Sequence, residues 1–350
     1  MTTVKLPFYA RLAVTLLAIV LIIFILQVGK SIFIPLVFAL LFSVMLYPLC
    51  RWMEIKGKMP RWLASLLSLL LFIGCIGGLI YFFAAQVISF TKDLPHLQDR
   101  FNMLLGQLQT WIDVHYSIDA KKQIDYVNQS TATIIETVAN SVGTIIVEAI
   151  SFVIWSIFVF IFTYFMLFHR KLLYRFAMHL FKPSHNEKVI EVVVETQGMI
   201  YNYVLGLITE MLILCVLNTI VFAILGVPYF LLLGVLAAVL NVIPYLGVYT
   251  AMAIGMLITF ANTSGMLAVQ LGISIIIIHF LDANILLPRI VGRRVKMNPL
   301  VTIITVLTGH LIWGIPGMFL FIPLAGIFKI ISQRIESLKA WNILMGTEDE

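Results

Sequence analysis

The chain has 350 residues, 61% hydrophobic and 11% charged, with a mean hydropathy of +1.04 and a net charge of +6 at pH 7. No soluble fold of this length hides that much apolar side chain from water, so the composition excludes a water-soluble domain and specifies a multi-span membrane protein. Nor does the surplus of cations indicate nucleic acid, because Lys and Arg fall in short clusters beside hydrophobic runs, the pattern that orients membrane helices.

The apolar runs Leu12 to Val28 and Ile32 to Leu49 are separated only by Gly29, Lys30 and Ser31, and predict a helical hairpin with Pro35 near the start of its second arm. Lys5 and Arg11 before the first run resemble the flank of a signal peptide, but no small-x-small cleavage pattern follows, so the run is read as a retained span. Arg51 to Arg61 then sets Arg51, Lys56, Lys58 and Arg61 against Glu54, which places this segment and the N-terminus in the cytoplasm, with Trp52 and Trp62 at the interface. A third span from Trp62 to about Phe90 completes an N-terminal transmembrane unit, residues 1–90.

Residues 91–142 are the least hydrophobic stretch. Asp93, Asp99, Asp113, Asp119, Asp125 and Glu136 outnumber Lys92, Arg100, Lys121 and Lys122, while Leu94, Leu97, Phe101, Leu104, Leu108 and Trp111 keep helical spacing. The reading is an extracytoplasmic amphipathic helical insert, lying on the membrane or packing between subunits. Residues 143–199 hold a fourth span, Thr144 to Phe168, and a basic cytoplasmic segment with Arg170, Lys171, Arg175, Lys182 and Lys188. There Ser184 and Glu187 form a capping-box pattern for a helix running through Val189 into the fifth span, with a bend available at Gly198.

Residues 200–335 are read as the transport core. On the fifth span, roughly Tyr203 to Leu225, Asn202, Gly206, Glu210, Leu214 and Asn218 recur every four residues, so one face should look at protein or water and not at lipid. The next run, Pro228 to about Phe260, is interrupted by Asn241-Val-Ile-Pro244-Tyr-Leu-Gly247. Each arm reaches only about 22 Å against a hydrocarbon core of about 30 Å, which suggests a hairpin dipping in from outside. Met266 to Leu287 crosses inward and ends at Pro288, followed by Arg289, Arg293, Arg294 and Lys296. The last run, Leu300 to Ile331, is too long for one straight span and, folded at Gly314-Ile-Pro316-Gly317, becomes a second hairpin entering from inside. The tail, residues 336–350, is then cytoplasmic. Kinked full spans remain the alternative for both broken segments. The fold class is therefore an all-α polytopic membrane protein of about eight membrane-embedded helical segments, including two Pro/Gly-broken hairpins, plus the amphipathic insert.

Glu210 and Asp282 stand out chemically, since an ionised carboxylate inside a span costs several kcal/mol. Both lie about 10 Å from the cytoplasmic ends of their helices, close enough in depth to share a polar pocket with Asn218, Asn284, His279 and His310. Such a pair can take up a proton in one state and bind a cation or polar solute in another; the alternative is that each acid only holds helices together, for instance through Arg289. Asn241 and Asn284 flank the broken segments as amides able to bond unwound backbone or a hydroxylated ligand. Pro244, Gly247, Pro288, Gly314, Pro316 and Gly317 are read as shaping the backbone. His310 is read first as a packed histidine, and the Arg289 to Lys296 cluster as topological, with anionic lipid as a second role. Cys50, Cys75 and Cys215 show no CxxC spacing and imply neither a disulfide frame nor a metal site. There is no HExxH, serine-nucleophile or nucleotide-binding glycine motif, so no enzyme, cofactor or ATP-driven pump is expected.

Taken in order, Asn241-Val-Ile-Pro244-Tyr-Leu-Gly247, the stretch Asn284 to Pro299 with Pro288, Gly292 and its cations, and Gly314-Ile-Pro-Gly317-Met with Pro323 resemble the signature of the autoinducer-2 exporter (AI-2E) family of bacterial inner-membrane permeases. Pro35, the Tyr47-Pro48 pair and the insert extend the resemblance over nearly the whole chain. It implies a homo-oligomer, pentameric in the family. It also implies transport of a small polar solute such as autoinducer-2, or sodium or lithium exchanged for protons. An acid at Asp282 fits the family, where Glu is common; Glu210 is not part of its pattern, so a role for Glu210 rests on the physics alone. The sequence thus points to a proton-coupled exporter, with Na+(Li+)/H+ antiport or a channel-like protein as the alternative.

Overall fold

Chain reversals, and the residues that permit them, set the architecture. The computed structural model describes residues 7–92, 103, 106, 153–243, 246–286, 289–290 and 297–346. Every described element is helical, as it must be where hydrocarbon offers no partner to backbone N–H and C=O groups. Numbered in chain order, the described helices begin with α1 (Phe8–Val28), α2 (Lys30–Ile55), α3 (Arg61–Lys92), α4 (Val153–Phe168), α5 (Arg170–His179) and α6 (Asn186–Ile224). There follow α7 (Phe230–Leu240), α8 (Leu246–Asn262), α9 (Gly265–Leu281), α10 (Pro299–Trp313), α11 (Ile315–Ser332) and the short α12 (Lys339–Met345). Among the described residues six helical segments are each long and apolar enough to cross a membrane, and a seventh counts if α4 and α5, bent by 73° at His169, form one span. The protein is a multi-pass membrane protein. The expected insert falls outside the described residues apart from 91, 92, 103 and 106, as do Pro244, Pro288, Arg293, Arg294 and Lys296.

The organising element is α6. Its 39 residues rise about 58 Å, well beyond a core of about 30 Å, so its charged first turns with Glu187, Lys188, Glu191 and Glu195 extend past the apolar part. The capping box is not formed: Ser184 belongs to a 3₁₀ turn, Pro183–His185, and His185 stands at the cap without a side-chain bond. Pro183 starts that tighter turn, and Glu187 in the first turn of α6 still complements the helix dipole. Nor does Gly198 break the helix, which runs through it.

The buried face of α6 divides in two. Met199, Ile200, Tyr203 and Val204 pack with Ile34 and Leu41 of α2, Trp313 of α10 and Leu320 and Ile330 of α11. Further along, Leu214 and Phe222 pack with Leu233 and Ala238 of α7 and with Leu271, Ile275 and Ile278 of α9. A separate cluster of Leu46, Cys50, Met53, Ala64, Leu69 and Leu167 joins α2 to α3 and α4.

Polar ties fix which helix ends share a level. Arg170 at the start of α5 pairs with Glu54 at the end of α2. Arg334 just past α11 pairs with Glu195 and, at 3.6 Å, with Glu191 of α6. The Asn298 N–H at the start of α10 donates to the Met345 carbonyl of α12 at 3.2 Å. At the opposite end of α10 the Trp313 indole N–H donates to the Leu26 carbonyl of α1 at 2.9 Å, giving a partner to a carbonyl in the last turn of that helix.

Both broken segments are helical hairpins. Gly314, with φ +67° and ψ −144°, turns α10 back into α11, and Pro316 lies in the first turn of α11, where a missing N–H costs nothing. A methyl group on Gly309 would meet the Gly317 carbonyl oxygen at 2.3 Å, and one on Gly317 the Gly309 oxygen at 1.9 Å, so the two backbones touch. In the other hairpin α7 stops at Leu240 and α8 begins at Leu246. There a methyl on Gly247 would lie 1.7 Å from the Leu240 carbonyl oxygen. At about 16 Å, α7 is too short to cross.

Candidate functional site

The stripe that recurs every four residues on α6 packs inward from its second member on: Asn202 is half-buried, and Gly206, Glu210, Leu214 and Asn218 are buried, as is Phe222 one turn further. Small and polar residues on it leave room that α7 and α9 fill. Gly234 of α7 approaches closest, its missing side chain admitting Thr219, whose Oγ1 would lie 2.4 Å from a methyl there. That contact sets α7 against α6 at the residue next to Asn218.

Asp282 reaches the same place from α9. The last turns of that helix widen into a π segment, Asp282–Leu286, the kind of local expansion that recurs at functional positions in helices. Asp282 is 3% exposed and Glu210 5%, and the two carboxyls are near enough to interact directly. Asn241, at the end of α7 where the hairpin breaks, donates from Nδ2 to Asp282 Oδ2 at 3.1 Å. Three elements (α6, the α7 break and the π segment) therefore converge on two acids. Among the described residues no cation pairs with either acid, and Arg289 is exposed. Glu210 Oε2 and Asp282 Oδ1 are buried without a hydrogen-bond partner. Buried acceptors are rarely left so, and two on neighbouring carboxyls can take a proton, a cation or a hydroxyl donor.

Beside them lies a cavity of about 20 Å³ bounded by Asn218, Asn241, His279 and Asp282 together with apolar residues of α6 to α9. That volume holds about one water molecule. Asn218 donates from Nδ2 to the Leu214 carbonyl at 2.8 Å, leaving Oδ1 as its remaining acceptor.

The structure thus brings together Glu210, Asp282, Asn218 and Asn241, with His279 alongside. It sets apart Asn284, which is exposed and donates to the Phe280 carbonyl at 2.8 Å, and His310, exposed on α10. Both were expected in the pocket. Asn284 lies two positions beyond Asp282, which on a helix points it to another side; His310 belongs to the hairpin that packs on the other half of α6. Gly247, Gly314, Pro316 and Gly317 sit at the reversals, whereas Pro244 and Pro288 lie outside the described residues.

Two positions escaped the sequence reading. Gly234 is one of several glycines in apolar runs, and only the contact with Thr219 singles it out. Lys329, near the end of α11, is 4% exposed, and a lysine closing an apolar run carries no sign of burial in the sequence.

Residues 12–337 match the family model described as AI-2E family transporter. The chain belongs to the AI-2E transporter family. Its relatives include YrrI and YueF of Bacillus subtilis (strain 168), each named a putative transport protein. YrrI is 29% identical over 86% of this chain and 86% of its own, YueF 26% over 88% and 85%. The AI-2 transport protein TqsA of Escherichia coli (strain K12) is 25% identical over 87% of each chain. This AI-2E family chain is accordingly a membrane transporter and not an enzyme.

Proposed function

We propose that this transporter exports a small polar solute, with autoinducer-2 the leading candidate, and that Glu210 and Asp282 couple export to the proton gradient. The observation that carries the reading is the meeting of two buried carboxyls, neither in an ion pair among the described residues, under the break of a helical hairpin. In a low-dielectric pocket two such groups bind one proton far more readily than they bear two charges. Releasing that proton on one side and taking it up on the other supplies a driving force. The cargo is suggested by the name of TqsA alone. Because the cavity admits about one water, a furanone-sized solute requires the α7–α8 hairpin to move off α6 and α9, breaking the bond from Asn241 to Asp282.

The same small volume favours a second reading, Na+ or Li+ exchanged for protons. A desolvated cation fits where one water does, and the Asp282, Asn218 and Asn241 oxygens that line the cavity are hard donors of the kind such ions take.

The tied helix ends support a topology with both termini cytoplasmic in a bacterial inner membrane. The basic α2–α3 and α5 segments, the start of α6 and the end of α11 lie at one level, and the positive-inside rule makes that level the cytoplasm. We also infer a homo-oligomer, for which α1, none of whose residues is buried within the chain, leaves an apolar face open to a second copy as well as to lipid.

The test is flux in proteoliposomes under an imposed pH gradient. Export predicts accumulation of the furanone signal outside, abolished by a protonophore and by Asp282→Asn. Antiport predicts proton movement triggered by added sodium or lithium and none by the furanone. Flux indifferent to the pH gradient in both assays would dismiss the coupling role of the acid pair.

A further inference from the structure

Apart from the acid pair, an open groove of about 370 Å³ runs along the last two turns of α2, bounded by Tyr47, Pro48, Arg51, Trp52, Ile55 and Lys56. We infer that this groove is a binding site for an anionic phospholipid, its phosphate held between Arg51 and Lys56 and its glycerol and upper acyl chain lying along Pro48, Trp52 and Ile55.

Position is the first argument. The groove sits where a membrane-spanning helix, Lys30–Ile55, gives way to the basic turn that ends at Arg61, so it straddles the boundary between hydrocarbon and headgroups. Trp52 and Ile55 are 56% and 63% exposed, a large apolar surface that lipid covers at this depth.

Charge is the second. The nearest acid, Glu54, is taken up by Arg170, which also lies 5.3 Å over the Tyr47 ring on the protein side. Among the described residues, Arg51 and Lys56 enter no ion pair, and no acid lines the groove. Two cations facing an apolar trough at the boundary match a ligand that carries one phosphate above two acyl chains. A free anion would leave the trough empty, and a zwitterionic lipid would bring its own cation against both side chains. Such basic juxtamembrane patches gain from each cation near an anionic surface. The C-terminal end of α2 adds a negative dipole that holds the cations in place and lets an anion bind only through them.

The experiment is thermal unfolding of the full-length protein in neutral detergent, titrated with phosphatidylglycerol, phosphatidylcholine or inorganic phosphate, beside native mass spectrometry of retained lipid. Phosphatidylglycerol is expected to raise the melting temperature saturably, the other two not. The double variant Arg51→Ala, Lys56→Ala is expected to raise the half-maximal phosphatidylglycerol concentration about tenfold, while Arg175→Ala, Lys182→Ala, at exposed cations elsewhere, leaves it unchanged. Both target side chains are exposed, so their truncation spares the core. Should the double variant nevertheless be unstable, the wild-type protein decides alone: retained phosphatidylglycerol must outnumber phosphatidylcholine from an equal mixture. Equal protection by the two lipids overturns the inference. So does full protection by inorganic phosphate, and so does a change of oligomeric mass in the double variant without lipid, which would make the groove a contact between copies.

Discussion

The α7–α8 and α10–α11 hairpins are built from similar sequence, apolar arms broken by proline and glycine, yet they pack in opposite ways. At the α10–α11 reversal two glycines press backbone against backbone, Gly309 on Gly317, and the indole of Trp313 closes the end onto α1. At the α7–α8 break the chain leaves its helix with an amide, Asn241, aimed at a buried acid. One hairpin is a sealed wedge; the other ends on a polar pocket. A helix break exposes backbone, and what faces the break decides whether it becomes a site. Here the difference lies on α6: apolar residues such as Ile200, Tyr203 and Val204 meet the α10–α11 hairpin, and the stripe with Glu210 and Asn218 meets the α7–α8 hairpin.

The comparison breaks most sharply at Asp282. Replacing it by Asn keeps the shape and the bond to Asn241 but removes the charge, and transport in proteoliposomes is expected to fall about tenfold or more while the protein assembles normally. A wild-type rate would show the α7–α8 break to be as structural as the other.

Gly317→Leu tests the wedge from its own side. A side chain there meets the Gly309 backbone and not the end of a flexible group, so the hairpin must open. Overpacking of this kind costs about 1–3 kcal/mol, read as a lower melting temperature and reduced yield. Transport per folded molecule should change far less than in Asp282→Asn.

An intermediate effect is expected at the junction itself. Asn241→Leu removes the donor to Asp282 Oδ2 and leaves a second oxygen of a buried carboxyl without a partner, a loss of about 1–3 kcal/mol. Because the same bond joins the hairpin to the acid pair, the change should alter transport several-fold while leaving the α10–α11 hairpin untouched. Measuring melting temperature and flux together separates the two consequences.

Much of this was legible in the sequence because the bilayer restricts the choices. Runs such as Leu12 to Val28 have no alternative to a helix, and the period-four stripe on α6 reported its buried face because a carboxyl and an amide do not face lipid. The two breaks were legible from Pro244, Gly247, Gly314 and Pro316. Their different roles were not, since a one-dimensional pattern shows that a backbone turns but not what it turns towards. Asn241 meeting Asp282 across 41 positions, and Gly234 meeting Thr219, depend on how α7 and α9 rotate about their axes. That rotation comes from the fit of many apolar side chains, none of which is distinctive alone. The capping box failed for a local reason: Pro183 begins a 3₁₀ turn and passes the cap to His185.

The smallest expected effect completes the contrast. His310 sits within the more punctuated of the two hairpins, four residues before the reversal at Gly314, where a titratable side chain reads as functional. Yet it is exposed on α10, away from the face on which Gly309 meets Gly317, and lines no part of the acid cavity. His310→Ala should therefore shift stability within about 0.5 kcal/mol and leave transport and its dependence on the pH gradient unchanged. A lost pH response would move the proton-handling group from α6 and α9 to α10, and the sealed hairpin would become the working one.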